Sequence, residues 1–440
     1  MKKFTLGLSV LAASISSVAM ADEPSITIFE DQYFYGGFMP QCISENGKYV
    51  CGSSYSQVGF ISAWQEGRTK IYNGQEGRGW ASTFNYITNE GVGLSGSLIN
   101  FETDEVKRGY GGYVDMMTED GTIMVGMTPN KYLSEMGSPH YVEYQACYWE
   151  NGKLHMLPVP TEEELGYYYL RTRARCISSD GSVILGEIVD RLYQLPMILW
   201  YRQEDGSYEL DAVCKDYFSD IKYNEGYYKE YVKFCGMALS KNGKWVAMTV
   251  QESPDYGKPA NNPVQIALYS VETGELRKAI ITDEFNVAYN PHYWIYYNGV
   301  SNEGTIAGYF ENNYGGESAF FMRSDDMIPR NFVDVFHTIG SFADYEEIYN
   351  AMNRVSSISP DGRYITGYGW NYDTNEGYVF DTGMTDAERY RSNESGITSV
   401  NVTNEGDTEY YNLSGVRVQE PVKGVTIVRN PDGTTSKIIK

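Results

Sequence analysis

The sequence predicts an all-β fold: a β-propeller of seven blades, alternatively six, followed by a small C-terminal β module. One turn motif recurs seven times, and runs of strand-forming residues follow its copies. Composition points the same way, with 40 Tyr and 45 Gly against few long Leu/Ala/Lys/Glu stretches.

From the N-terminus, residues 1–21 read as an export signal. Lys2 and Lys3 precede an apolar run from Phe4 to Met20, and Ala19-Met20-Ala21 forms a small-residue cleavage site. The propeller is expected over 22–383, a linker over 384–397 and the C-terminal module over 398–440. The early strand Ser25-Ile26-Thr27-Ile28-Phe29 is expected to complete the last blade and close the ring.

The repeat reads apolar, Ser/Thr, any residue, Asp/Asn/Glu, Gly. Its copies begin at Ile43, Ile87, Met117, Ile177, Leu239, Val300 and Ile358, and every copy keeps the Ser/Thr. The physical unit is a β-hairpin. Asn-Gly or Asp-Gly supplies the positive φ of a tight turn, and the Ser/Thr side chain can bond back onto the turn backbone. Five copies place a second Gly five residues on: Gly52, Gly96, Gly126, Gly186 and Gly367. The sixth copy has Gly308 one place early, and Met248 stands in the remaining one. A glycine at a strand end permits close approach of a neighbouring backbone. Downstream come apolar-aromatic pairs, Ala63-Trp64, Tyr148-Trp149, Leu199-Trp200, Leu268-Tyr269, Phe320-Phe321 and Val379-Phe380, so one unit holds three or four strands.

Strand-only units that cannot bury a face alone close radially when stacked in tandem. Turn glycines from Gly121 to Gly362 are 60, 62, 61 and 58 residues apart, but Gly91 follows Gly47 by 44 and precedes Gly121 by only 30. The compressed second copy is either a short blade with Tyr110 to Val114 as its aromatic strand, which gives seven blades, or an extra hairpin in the first, which gives six.

The repeat resembles the secreted propeller repeats of the HAF type, and Ser359-Pro360-Asp361-Gly362-Arg363-Tyr364 resembles the TolB-like propeller repeat. The likeness spans about residues 40–383 and implies architecture, not one activity. Tyr410 to Val418, Lys423 to Val428 and Lys437-Ile438-Ile439-Lys440 resemble the C-terminal sorting domain of Gram-negative envelope proteins. That resemblance implies a small β module read by type IX secretion machinery, with Thr426 where an aromatic is common.

A formal net charge of −23 opposes binding to nucleic acid or anionic membrane surfaces. After the signal, no apolar run approaches the roughly 20 residues of a spanning helix. Cys42 and Cys176 hold the same place in two repeats, where other copies carry Tyr86, Ala238, Gly299 or Ser357, and read as buried unpaired thiols. A disulfide among Cys147, Cys214 and Cys235 stays open, because sequence does not pair them.

Chemical motifs are sparse. Gly91-x-Gly93-x-x-Gly96 matches a dinucleotide fingerprint by letter, but its glycines are those of the repeat and no helix is expected after them. His140, His155, His292 and His337 show no metal-ligand spacing, and Asn371-x-Asp373-x-Asn375-x-Gly377 lacks the closing Glu of a calcium loop. No cofactor is expected. Aromatic clusters stand out instead: Tyr167-Tyr168-Tyr169, Tyr217 to Tyr228, and Tyr293-Trp294 with Tyr296-Tyr297. Amphipathic rings outside a core suit stacking on sugars or contact with protein, which makes Tyr168, Tyr227 and Trp294 the candidate ligand-binding residues.

The sequence therefore points to a secreted or surface-displayed binding module, with the periplasm as an alternative location and a glycan or a protein as ligand. An enzyme that degrades polysaccharide, a lyase or glycoside hydrolase with carboxylates or tyrosines in the central funnel, is the alternative. A structural envelope protein is the third reading. Charged side chains converging on the ring axis would separate the first two.

Overall fold

The computed structural model describes residues 25–29, 37–54, 56–74, 81–107, 110–129, 144–159, 171–189, 194–211, 223–224, 227–228, 231–253, 265–280, 292–311, 317–331, 352–370, 375–389, 409–412, 417–418, 425–429 and 435–439. The chain divides into two compact parts, Met1–Met384 and Thr385–Lys440. Among the described residues no helix is long and apolar enough to cross a membrane.

The larger part is a β-propeller. Its described strands form seven four-stranded antiparallel sheets, numbered one to seven in chain order: 38–71, 86–107, 113–156, 171–211, 231–278, 292–331, and 354–381 with Ser25–Phe29. The strand ladders of sheets three and four are joined by a single parallel pair, Tyr144↔Arg171. In sheets one to six the strands pair in sequence order. Sheet seven borrows its fourth strand from the N-terminus, where Ser25–Phe29 runs antiparallel to Asn375–Asp381. This is the closure expected from the sequence, over the same five residues.

The repeat turns are built as the sequence suggests, and the hydroxyl explains why every copy keeps it. In the Asp and Asn copies the hydroxyl donates to the carboxylate or amide oxygen two residues on: Ser44 to Asn46 (2.8 Å), Thr118 to Asp120 (2.6 Å), Ser178 to Asp180 (2.7 Å), Ser240 to Asn242 (2.7 Å) and Ser359 to Asp361 (2.6 Å). It also accepts the backbone N–H five residues on, as from Tyr49 and Tyr364. In the two Glu copies the hydroxyl accepts from one residue nearer, Val92 to Thr88 and Thr305 to Ser301. Those hairpins are one residue shorter, which is why Gly308 stands one place early.

The second glycine marks a β-bulge. Gly52, Gly126, Gly186 and Gly367 pair with Pro40, Val114, Ala174 and Val355, and the register shifts immediately after each of those partners. The extra residues of the inner strand are Gln41, Asp115, Arg175 and Ser356. A Cβ on Gly126 would sit 1.8 Å from the Tyr113 carbonyl oxygen, and one on Gly367 would sit 1.9 Å from that of Arg354. Only glycine lets the bulged strand come this close. Gly96 does another job: it takes φ +63° with open space around it, between the short strands Val92–Leu94 and Leu98–Asn100.

The compressed second copy is a complete small sheet of two- and three-residue strands, with Leu98–Asn100 as its third strand. Tyr110 to Val114 is not its aromatic strand. Tyr113–Met117 is the inner strand of sheet three, because it leads directly into that sheet's own turn at Thr118. The apolar-aromatic pairs supply the core: Trp149, Trp200, Phe320 and Phe321 are buried among the sheets, as are Tyr269 and Phe380.

Cys42 and Cys147 are buried free thiols, and Cys176 is buried with its Sγ donating to the Tyr297 carbonyl (3.7 Å); Cys214 and the side chain of Cys235 lie outside the described residues. In the C-terminal part, Glu409–Asn412, Arg417–Val418, Val425–Arg429 and Thr435–Ile439 form one small antiparallel sheet. Within the expected linker, residues 386–389 make a helical turn that Thr385 and Glu388 cap reciprocally, with Asp386 paired to Arg389. The export signal lies outside the described residues.

The bulge geometry is testable. Gly126→Ala is expected to cost about 2–4 kcal/mol, since backbone must move. Gly121→Ala, where φ is +68° but space is open, should cost about 1 kcal/mol. Urea midpoints followed by Trp fluorescence measure both; equal costs would show that the close approach does not matter.

Candidate functional site

The residue between the Ser/Thr and the Asp, Asn or Glu of each turn has no fixed chemistry: Glu45, Asn89, Glu119, Ser179, Lys241, Asn302 and Pro360. Six of these are partly exposed and Pro360 is buried. The inner strands deliver the seven turns to one end of the ring and bond them to one another. Asn46 N donates to Asn89 Oδ1 (2.7 Å), Asn89 N to Glu119 Oε1, Ser179 N to the Lys241 carbonyl (2.8 Å), Asn242 N to Asn302 Oδ1 (2.9 Å) and Asn302 N to the Pro360 carbonyl (2.7 Å).

Side chains from sheets far apart in the ring also meet here, so this is the axis. The Ser179 hydroxyl donates to Glu45, joining sheets four and one. Lys241 of sheet five lies with its ammonium 4.0 Å from the Tyr86 ring centroid in sheet two and 3.4 Å from Met116 Sδ in sheet three. The Tyr86 hydroxyl is 3.2 Å from Glu119 Oε2 and 3.5 Å from Glu45 Oε1, so one proton serves two carboxylates.

This neighbourhood shifts protonation. Burial, with Glu45 adding to it against the Asn89 N–H, pushes the Glu119 carboxyl up to about 7. Burial lowers the Lys241 ammonium, although the surrounding carboxylates and thiols pull it back. Burial also raises Tyr86 well above the usual phenol range, with Glu119 next in effect.

A second charged group is built by the bulges. Asp115 and Arg175 are the extra residues of the inner strands of sheets three and four. Arg173 holds Asp115 through two nitrogens, one at 2.6 Å, and Arg175 Nη1 stands 3.6 Å from the same carboxylate. Arg175 Nε also donates to Glu187 (2.7 Å), and its guanidinium lies 5.1 Å from the Tyr297 ring centroid. Burial raises the Tyr297 phenol to about 12 despite the two arginines. The carboxylates of Asp115 and Glu187 are thus each tied to a guanidinium, and this group offers no unpaired base.

None of the three candidate residues has a described side chain. Tyr168 lies wholly outside the described residues. Tyr227 falls on a two-residue strand that pairs with Tyr223–Asn224 between sheets four and five, and Trp294 lies on the inner strand of sheet six, opposite Tyr309. The chain leaves sheet three before Tyr168, and sheet four before Tyr227, at the end opposite the repeat turns, because antiparallel strands alternate direction. Sequence reasoning passed over Glu45, Glu119, Lys241, Asp115 and Arg175. Aligning the turns and reading the variable position would have found the first three.

His155 stacks on Tyr148 at 4.7 Å. Among the described residues no group of three His, Cys, Asp or Glu is placed to hold a metal ion. Gly91, Gly93 and Gly96 sit on strands and turns of sheet two, with no helix following. Residues 371–374 lie outside the described residues.

No family model matches the chain, and no curated protein matches its sequence. Among solved structures, it is similar to an oligogalacturonate lyase in complex with manganese at 10 % identity and TM-score 0.45, over 84 % of this chain and 99 % of that one. It is similar to the β-propeller domain of the Trilobed protease from Pyrococcus furiosus at 13 % and 0.41, over 73 % and 90 %. A putative TolB from Agrobacterium tumefaciens aligns at 14 % and 0.32, over 58 % and 88 %. The propeller follows from the strand order and ring closure above, not from these likenesses.

A carboxyl raised on folding binds its proton more tightly in the native state. Its cost is absent below the ordinary carboxylate range, grows as pH rises, and is complete above about 7. Glu119→Gln is therefore expected to stabilise the protein by roughly 1–3 kcal/mol near about pH 8 and to do little near about pH 4. Urea midpoints at the two pH values test this; a gain of the same size at both would remove the titration argument.

Proposed function

We propose that the chain is an exported propeller of seven blades that acts as a binding module, taking a glycan or a protein at the end of the ring opposite the repeat turns. The supporting observation is the state of the axial charges. Arg173, Arg175, Asp115 and Glu187 neutralise one another, and at the turn end Glu45 and Glu119 share Tyr86 near Lys241. The neutralised arginine–carboxylate group braces the ring and leaves recognition to the opposite end; Tyr168, Tyr227 and Trp294 are the residues to test. Secretion or display on the outer surface through residues 398–440 completes this reading.

The enzyme alternative has its own support: charged side chains do converge on the axis, the feature that separates the two readings, and Glu119, poised near neutrality beside Glu45, has the protonation behaviour of a general acid. The polysaccharide lyase or hydrolase reading would use it.

Affinity electrophoresis of the full mature chain through soluble polysaccharides, with product release assayed in the same gels, separates the readings. Retardation without new reducing ends or unsaturated products is expected, weakened by Tyr168→Ala or Trp294→Ala. Cleavage that is lost in Glu119→Gln would replace the binding reading with the enzyme. In a bacterium bearing type IX machinery, removal of residues 398–440 should leave the protein in the periplasm; unchanged surface delivery would dismiss the tail as a sorting element.

A further inference from the structure

We propose that Cys42 and Cys51 close an intrachain disulfide, formed by exchange with a disulfide-bearing oxidant in the compartment that receives the chain. The inference rests on the export reading only for the supply of that oxidant. In sheet one the two cysteines are direct cross-strand partners, Cys42 on Phe38–Ile43 and Cys51 on Val50–Ser54. Both are buried and both are free thiols in this structure. Opposed Cα atoms in an antiparallel pair are about 4.5–5.5 Å apart, inside the about 4.4–6.8 Å that a disulfide spans.

The repeats provide an internal comparison. The same cross-strand place holds Met116 opposite Val125, Cys176 opposite Leu185, Ala238 opposite Ala247 and Ser357 opposite Thr366. Among these, sheet one alone sets thiol against thiol, whereas Cys176 occupies the equivalent position with no thiol across from it. Burial by itself would raise Cys42, but the Cys51 hydrogen bond and the Lys241 charge outweigh it and hold the thiol below its ordinary range. Burial, and Cys42 beside it, push Cys51 well up.

The chemistry balances. The Cys42 thiolate attacks one sulfur of the oxidant, forming a mixed disulfide and releasing the other sulfur as a thiol. The Cys51 thiolate then attacks Cys42 Sγ and releases the second. Two S–H bonds are lost, the chain is oxidised by two electrons, and the oxidant is reduced to two thiols. Because the folded hairpin covers both sulfurs, exchange takes place as the chain folds. The link would staple the hairpin at the ring seam, where Ile43 N bonds Ser357 Oγ (3.4 Å) and the Ser356 hydroxyl bonds the Pro40 carbonyl (2.5 Å).

The test is to refold the reduced full chain in a glutathione redox buffer, alkylate, digest and map cross-linked peptides by mass. A Cys42–Cys51 peptide pair released by dithiothreitol is expected in the wild type and in Cys176→Ser and absent in Cys51→Ser. The oxidised protein should also show a higher urea midpoint than the reduced one. Recovery of both cysteines alkylated, or linked to other cysteines, overturns the pairing. A link formed by glutathione yet missing from protein isolated from the producing cells supports the pairing and counts against export instead.

Discussion

Each repeat turn hangs on one hydroxyl. In the Asp and Asn copies the Ser or Thr that opens it donates to an acid or amide two residues on while accepting an N–H from the strand that follows, so a single side chain closes the hairpin from both directions; in the two Glu copies it accepts the N–H. Because the turn is fixed, its variable residue has a fixed direction, and Glu45, Glu119, Ser179 and Lys241 converge on one axis. Replacing the hydroxyl by a methyl would leave the buried N–H unpaired. Every copy therefore keeps an oxygen there, while the neighbouring position ranges from Glu to Pro.

The second glycine works with the hydroxyl. It admits a bulge in the inner strand, and the bulge aims one additional side chain inward. In sheets three and four those side chains are Asp115 and Arg175, which meet as part of a neutralised group. In sheet seven the extra residue is Ser356, which reaches across the seam to Pro40. One backbone device thus serves charge pairing in one place and ring closure in another.

Much of this architecture was legible from residues alone. The turns, the closing strand Ser25–Phe29, the aromatic core pairs and the buried places of Cys42 and Cys176 all follow from local patterns with a period. Aromatic content suggests Tyr110 to Val114 as a strand of the second sheet, yet the position of Tyr113 and Val114 just before the Thr118 turn puts them on the inner strand of the third. The helical turn after Thr385 was passed over although Thr-Asp-Ala-Glu spells a capping box. The axial cluster was harder for a different reason. Glu45, Glu119, Lys241 and Tyr86 come from four separate sheets, and no spacing along the chain reports that their tips touch. Cys51 was missed because the pairing that matters runs across the hairpin, not between copies.

The strand Ser25–Phe29 has a consequence for the order of events in the cell. It lies near the start of the chain, yet its partner Asn375–Asp381 is among the last propeller residues to be made. During synthesis this apolar ribbon has no mate, and sheet seven has no outer edge until its own strands emerge. Ring formation must wait for nearly the whole propeller sequence, a contact of very high sequence separation that folds slowly. A polypeptide that stays open until its final blade arrives can be threaded through a narrow pore before it becomes too wide to pass.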